Sequence, residues 1–179
     1  MRHEPLAAGR TAGIRVNEGS GWRWLPVSVA VMGLDQFTKL LVVQHLKLYS
    51  SIYVLPVLDF SLRYNRGAAF SFLEGASGWQ RWFFTALALV VGGAILVWMR
   101  RLKGSTQWLL SLSLALILAG ALGNMIDRLR LGRVIDFIVA HWGHAEFPAF
   151  NVADSSITVG AALLLLDALI ESRRKPGPV

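Results

Sequence analysis

The stretch NVADSSITVGAALLLLDALI, residues 151–170, joins two hydrogen-bonding residues and an acid to a long run of apolar side chains. The stretch has the length of a helix that crosses the hydrocarbon core of a bilayer, about 20 residues. An ionisable group at the edge of such a span costs free energy to desolvate. Asp154 is therefore a helix cap, a structural ion or part of a catalytic site, and the rest of the chain decides among these.

The composition predicts a polytopic membrane protein. Of the 179 residues, 54% are hydrophobic and 16% are charged, whereas a soluble domain usually carries about 25% charged residues. Asp35 and Lys39 must be accommodated within the first span and Asp167 near the end of the last. We predict a membrane α-helical fold with four transmembrane helices, at about residues 24–44, 82–99, 106–126 and 152–170.

The distribution of charged residues predicts how the chain is oriented in the membrane and where its tails begin. Lys and Arg are more numerous beside the termini and the loop between the second and third spans than on the opposite side, so the positive-inside rule places both termini in the cytoplasm. They are scattered around the spans, which favours contact with anionic lipids over nucleic acid. We expect one membrane domain at 22–171, a disordered cytoplasmic tail at 1–21 and a basic cytoplasmic tail at 172–179.

Two segments remain outside the spans, at roughly 47–80 and 127–151. In the first, the apolar side chains from Leu58 to Tyr64 alternate with polar ones. This period of two predicts a half-buried strand, and the sequence NRG at 65–67 predicts a turn after it. We expect a small β-sheet on the membrane surface, outside the cytoplasm.

Polar residues within the first and third spans need partners. Asp35 and Lys39 are four residues apart on the first helix, in the order that favours an ion pair. The pair either fixes helix packing or contacts a substrate directly. On the third helix, small and polar residues follow one another and share a face by their spacing: Gly120, Gly123, Asn124, Asp127 and Arg128.

The roles of these third-helix residues remain open at this point. Glycines beside polar residues are typical of closely packed membrane helices, and packing alone explains Gly120 and Gly123. Asn124 and Arg128 lie at the end of the span, where they either support packing or hold the carbonyl or phosphate oxygens of a ligand.

Two acids lie close to spans in apolar surroundings. Asn151 followed by Asp154 resembles a capping box, and an acid in the first helical turn also favours the helix dipole. Asp136 lies among Val, Ile and Phe and needs a partner, which the next helix supplies. Two carboxylates at an apolar site share a proton, and such a pair can activate water and protonate a carbonyl oxygen.

Other hydrolytic arrangements are weaker. Ser155 and Ser156 have no adjacent basic residue, although His141 and His144 are conceivable bases. The same two histidines lack a nearby third ligand for a metal, and they fit better as polar residues at the membrane interface. The chain has no cysteine, which excludes a thiolate nucleophile or a Cys-based metal site. We expect no metal and no organic cofactor.

Four blocks resemble the bacterial lipoprotein signal peptidase family, signal peptidase II. The resemblance extends from about Trp24 to Ile170 with the blocks in the order of the family. The blocks are YNRGAAFSF (64–72), GALGNMIDRL (120–129), VIDF (134–137) and FPAFNVADSSITVG (147–160).

The resemblance implies an inner-membrane aspartyl endopeptidase of four helices with its active site at the extracytoplasmic face. It implies Asp136 and Asp154 as the catalytic dyad, with Asp127 supporting Arg128. It further implies that Asn65, Gly67, Asn124, Arg128 and Asn151 bind substrate or shape the site, and that Asp35, Lys39, Asp127, Gly120 and Gly123 support the structure.

The substrates implied are prolipoproteins whose cysteine carries a diacylglyceryl group, cleaved just before that cysteine. Membrane lipids are the other partners, and we expect a monomer that is inhibited by cyclic peptide antibiotics such as globomycin. Two alternatives come from the residues alone. An ion-coupled transporter would use the intramembrane acids as a proton path, and a non-catalytic scaffold would need them for stability only.

Overall fold

The computed structural model describes residues 19–67, 78–143 and 145–174. Within these ranges four helices are long and apolar enough to cross a membrane. A 3-10 turn at Gly21–Trp24 precedes the first. The helices are α1 (Leu25–His45), α2 (Gln80–Arg101), α3 (Trp108–Leu131) and α4 (Val152–Arg174), and the strands are β1 (Ser51–Leu55), β2 (Leu58–Asn65), β3 (Val134–Trp142) and β4 (Ala145–Glu146).

The predicted fold class is confirmed, with three helices, α2, α3 and α4, longer than expected. The third span was predicted to end at residue 126, but α3 continues to Leu131 and is closed by Gly132 in the left-handed conformation, with φ of 71°. The extra turn keeps Asp127 and Arg128 helical. The fourth helix continues to Arg174 because the first residue that opposes a helix, Pro176, lies two positions further on.

The third helix is the centre of the bundle, packed against α1, α2 and α4. Its contact with α4 is close because small residues face the neighbouring backbone. A Cβ on Gly120 would overlap the carbonyl oxygen of Ala153 and the side chain of Ile157, and one on Gly123 would meet a carboxylate oxygen of Asp35. Small residues at such interfaces let membrane helices approach closely.

The four strands form one antiparallel sheet in the order β1-β2-β3-β4. The strand predicted from the alternation at 58–64 is present as β2. Its burial does not alternate throughout, however, because Ser61 and Leu62 are both buried. The register between β2 and β3 shifts between Phe60 and Arg63, and such an irregularity locally breaks the two-residue period.

The sheet packs against the end of α1 through a small apolar cluster. Val42 of α1, Leu62 of β2, and Ile135 and Phe137 of β3 are its buried members. These contacts fix β3 beside the helix ends, and Asp136 lies between two of the anchoring residues. The position of this acid is therefore set by the docking of the sheet.

The expected tails lie largely outside the described residues, which exclude 1–18 and 175–179. The boundary of the N-terminal tail differs from the prediction. Gly19 accepts a hydrogen bond from the backbone N–H of Gly104 at 2.7 Å, and Gly21 donates to the carbonyl of Leu102 at 3.1 Å. Residues 19–21 therefore belong to the folded domain, because the loop between α2 and α3 pairs with their backbone.

Substitution of Gly120 by alanine should destabilise the bundle. The added methyl group overlaps the Ala153 carbonyl in a packed helix contact, and overpacking of this kind costs about 1–3 kcal/mol. Gly93→Ala on α2 is the matched control, since a Cβ there has no neighbour within 4 Å. Thermal unfolding in detergent should show a lower Tm for Gly120→Ala only. Equal Tm values for the two variants would contradict the close contact.

Candidate active site

Asp136 and Asp154 come from different elements and line the same cavity of about 610 Å³. Asp136 lies on β3 and is 3% exposed, and Asp154 lies in the first turn of α4. The cavity is lined by both polar and apolar residues: Asn65, Asn124, Arg128, Val134, Asp136, Phe147, Pro148, Ala149, Phe150, Asp154, Ser155, Ile157, Thr158 and Val159.

The start of α4 forms the expected capping box. The Asn151 Oδ1 accepts from the backbone N–H of Asp154 at 2.9 Å, and the Asp154 Oδ2 accepts from the backbone N–H of Asn151 at 3.1 Å. The other carboxylate oxygen, Oδ1, accepts from the Asn124 Nδ2 at 2.7 Å. Asp154 thus caps its helix with one oxygen and is held by α3 through the other.

Asp136 is held by two asparagine side chains. Its Oδ1 accepts from the Asn151 Nδ2 at 2.8 Å, and its Oδ2 accepts from the Asn65 Nδ2 at 3.1 Å. Asn151 therefore bonds to both acids, to one through its backbone and to the other through its side chain. This residue couples the start of α4 to β3.

The surroundings of Asp136 favour its protonated form. Burial and, second to it, the nearby charge of Asp154 raise the pKa of this carboxyl to about 7, against hydrogen bonds from Asn65 and Asn151 and the charge of Lys39, which lower it. Desolvation penalises the ionised form of an acid, and a second carboxylate adds repulsion. Asp136 can therefore hold a proton near neutral pH.

Arg128 joins the cavity to the turn after β2. Its Nη2 donates to the carbonyl oxygen of Gly67 at 3.0 Å, and its guanidinium lies 4.9 Å from the ring centre of Phe84. The Gly67 backbone N–H donates to the Asn65 Oδ1 at 2.9 Å, which closes the turn predicted at 65–67. The remainder of that sequence block, residues 68–72, lies outside the described residues.

A buried ionic cluster lies behind the cavity. The Lys39 Nζ is 2.8 Å from the Asp35 Oδ2 and 2.8 Å from the Asp127 Oδ2. The Asp35–Lys39 pair expected from helical spacing is therefore present. Asp35 also accepts from the backbone N–H of Ala153 at 2.8 Å, which ties α1 to the first turn of α4. The pair thus supports the helix start that carries Asp154.

Asp127 has other partners than the resemblance implied. It was expected to support Arg128, and in addition it accepts from Lys39, from the Gln36 Nε2 at 3.0 Å and from the backbone N–H of Ile135 at 3.1 Å. Neighbouring residues on a helix point about 100° apart, so Asp127 faces α1 and β3 while Arg128 faces the cavity. Gln36 was not among the residues predicted from the sequence, although a polar side chain inside a span is a signal for hydrogen bonding between helices.

His141 is not among the residues that line the cavity. It lies on β3 with its Nε2 3.5 Å from the Asp59 Oδ2. His144 lies outside the described residues. Within the described part of the chain no group of three His, Cys, Asp or Glu residues is placed to hold a metal ion.

The geometry is suited to acid–base chemistry on a carbonyl compound. An ionised carboxylate can take a proton from water while a protonated one donates to the carbonyl oxygen, and neither step requires a nucleophilic side chain. The apolar side chains that also line the cavity can contact hydrocarbon.

Comparisons with known proteins agree with this arrangement. The family model described as signal peptidase (SPase) II matches residues 27–170. The lipoprotein signal peptidase of Pseudomonas aeruginosa is 52% identical over 146 residues, which are 80% of this chain and 86% of that protein. That of Pseudomonas fluorescens is 50% identical over 165 residues, 91% of this chain and 92% of that protein.

Solved structures show the same fold. A bacterial membrane enzyme determined by the in meso method at 2.3 Å resolution has a TM-score of 0.76 and 31% identity, covering 88% of this chain and 94% of its own. A second, at 1.9 Å, has a TM-score of 0.71 and 32% identity, covering 82% and 92%. With the family match over most of its length, this chain is a multi-pass membrane peptidase of bacterial type that belongs to the signal peptidase II family.

Proposed function

We propose that this lipoprotein signal peptidase is an aspartic endopeptidase that removes the signal peptide from diacylglyceryl-modified prolipoproteins. The observation that carries the proposal is the pair Asp136 and Asp154, held at one cavity by the same asparagine, Asn151. The relatives named lipoprotein signal peptidases support the substrate class. Cleavage takes place just before the lipidated cysteine.

Asp154 is the general base in this proposal. Both of its oxygens accept from N–H groups, the Asn151 backbone and the Asn124 amide, and it lies at a helix N-terminus. Each of these features favours the ionised carboxylate. Asp154 takes a proton from a water molecule, whose oxygen attacks the carbonyl carbon of the residue before the cysteine.

Asp136 is the general acid. Its pKa of about 7 keeps it largely protonated up to neutral pH, and it donates a hydrogen bond to the carbonyl oxygen as negative charge develops there. When the tetrahedral intermediate collapses, the C–N bond breaks and the proton on Asp154 passes to the amine of the cysteine. The products are the signal peptide and a lipoprotein with a free N-terminal diacylglyceryl-cysteine.

The lipid part of the substrate locates the scissile bond. The apolar lining of the cavity includes Phe147, Ile157 and Val159, next to the dyad. Burial of an acyl chain contributes about 0.8 kcal/mol per CH2, so two chains that enter sideways from the bilayer supply much of the binding energy. Asn65 and Arg128 contact the peptide near the dyad, and Gly67 shapes the turn that holds them.

The proposal places the enzyme in the bacterial inner membrane. Both termini are in the cytoplasm, and the sheet and the dyad face the extracytoplasmic side. Residues 19–174 act as the peptidase domain of a monomer that needs no metal or organic cofactor. Cyclic peptide antibiotics of the globomycin type occupy the same cavity as the substrate, which makes the protein an antibiotic target.

Replacement of either acid by asparagine should abolish cleavage. Loss of a general acid or base typically lowers the rate by about 100- to 10,000-fold, because the amide neither takes the proton from water nor supplies one to the carbonyl oxygen. Asp136→Asn and Asp154→Asn should be compared with wild type in a gel-shift assay in detergent with a diacylglyceryl-modified prolipoprotein. Thermal unfolding checks that each variant is folded. A folded variant that cleaves at nearly the wild-type rate would rule out the two-carboxylate mechanism.

The rate of cleavage should fall as the pH rises above about 7. The general acid must be protonated, and Asp136, with a pKa of about 7, loses its proton in this range. The initial rate at low substrate concentration, measured from pH 5 to 9, should show this decline. Unfolding at each pH serves as the control for stability. A rate that stays constant or increases between pH 7 and 9 would contradict the role of Asp136 as the acid.

A prolipoprotein without the diacylglyceryl group should be a poor substrate. Its peptide bond is unchanged, but the apolar residues of the cavity then have no acyl chains to bind and contribute no binding energy. The two forms of one prolipoprotein should be assayed side by side, and kcat/KM should be much lower for the unlipidated form. Equal cleavage of both forms would contradict a role for the lipid in the mechanism, and the protein would then be a more general membrane aspartic protease.

A further inference from the structure

The side-chain amide of Asn151 can point in one direction only. Its Oδ1 accepts from the backbone N–H of Asp154, a group that can donate but not accept. Its Nδ2 must therefore face the other way, where it lies 2.8 Å from the Asp136 Oδ1 and 3.1 Å from the Asn124 Oδ1. The orientation of this amide follows from its partners.

The amide of Asn124 is fixed in the same manner. Its Oδ1 accepts from the Asn151 Nδ2 and from the Lys39 Nζ, each at 3.1 Å. An ammonium group has three donors and no acceptor, so the oxygen must be the atom that faces Lys39. The Nδ2 of Asn124 is thereby left to donate to the Asp154 Oδ1 at 2.7 Å.

Lys39 uses its three donors on three different acceptors. Two are the carboxylates of Asp35 and Asp127, and the third is the Asn124 Oδ1. Gln36 also bridges the two carboxylates, with distances of 3.2 and 3.0 Å. The hydrogen bond from Lys39 to Asn124 is therefore made in addition to the two ion pairs. Through Asn124 it connects the ionic cluster to Asp154 of the dyad.

We propose that Lys39 is a positioning residue, which holds the Asn124 amide so that its NH2 group faces Asp154. The inference rests on the proposed function, because Asp154 must be an ionised base for this orientation to matter. Lys39 is 1% exposed and does not line the cavity, so it acts on the reaction through Asn124 and has no contact with substrate. Without Lys39 only the neutral donor of Asn151 faces the Asn124 oxygen, so the amide is held less firmly in the direction in which its NH2 group supports the ionised carboxylate.

The charged residues around Asp154 lie on three other elements of the structure. Asp35 and Lys39 lie on α1, Asp127 and Arg128 on α3, and Asp136 on β3. Removal of Lys39 alone would leave two buried carboxylates without their cation, which strongly destabilises a protein. A test of positioning must therefore replace both acids before Lys39 is changed, and thermal unfolding must show that the variant in which Lys39 remains, a buried cation without its carboxylates, is folded.

The test compares two variants that differ only at residue 39. The variant D35N/D127N keeps the Lys39–Asn124 hydrogen bond and loses both ion pairs. The variant D35N/K39M/D127N loses all three charges together. We expect kcat to fall by up to about 100-fold in the second relative to the first, as a displaced catalytic group costs, while KM for the lipidated substrate stays unchanged. Similar kcat values in the two would overturn the proposal.

A cycle with Asn124→Ala separates positioning from structural support. In the D35N/D127N background, if Lys39 acts through Asn124, K39M should have little further effect on kcat once Asn124 is alanine, since changes at coupled residues do not add. If the two substitutions instead lower kcat by independent factors that multiply, the proposal is overturned. Ser28→Ala is the control for lost packing between α1 and α3, because Ser28 donates to the Ala115 carbonyl at 2.8 Å, outside this network.

A further variant covers the case in which the triple variant does not fold. Asn124→Asp keeps an acceptor for Lys39 as an ion pair, but it replaces the NH2 that faces Asp154 by an oxygen. Its kcat should fall at unchanged KM, and a retained kcat would show that the direction of this group is irrelevant. Asp136→Asn and Asp154→Asn belong in the same assay. If these cleave, the proposed function fails, and if they do not, a failure at Lys39 concerns the positioning alone.

Discussion

The hydrogen bonds of Asn151 are the interaction on which the positions of both acids depend. Its backbone and side chain bond to Asp154 in the capping box, and its Nδ2 reaches Asp136 on the neighbouring strand. A helix needs a cap at its start, where its first N–H groups lack partners. Here the same residue also fixes the distance between an acid of α4 and an acid of β3. The hydrogen bonds of one residue therefore both stabilise the start of the helix and set the geometry of the site.

Close helix packing brings this capped helix start to the rest of the site. Gly120 lies against the Ala153 backbone, and Gly123 lies beside the Asp35 carboxylate, which in turn accepts from the Ala153 N–H. A larger residue in α3 would move the first turn of α4 and with it Asp154. Burial of Lys39 requires the same closeness, since its charge must be compensated by acids from two helices. The ionic cluster, the glycines and the dyad thus depend on one another.

Much of this could be predicted from the sequence, because membrane spans have a strong local signal. The number and approximate positions of the helices, the strand at 58–64, the Asp35–Lys39 pair and the capping box each follow from neighbouring residues and their spacing. The partners of Asp127 could not be predicted, since they depend on how far α3 extends beyond the span and which way it faces. The burial of Ser61 was equally hidden, because a register shift between two strands leaves no mark in either one.

The sequence by itself determined that this chain forms four spans and carries two acids in apolar surroundings near their ends, since hydropathy and period are properties of short segments. The surroundings of Asp136 pointed to Asp154 as its partner, and the family motifs implied the same pair. Only the tertiary structure decided that Asn151 bonds to both, that Asp136 is buried enough to hold a proton near neutral pH, and that Lys39 reaches Asn124. These properties depend on distances between elements far apart in the chain, and such distances exist only after the helices and the sheet have packed.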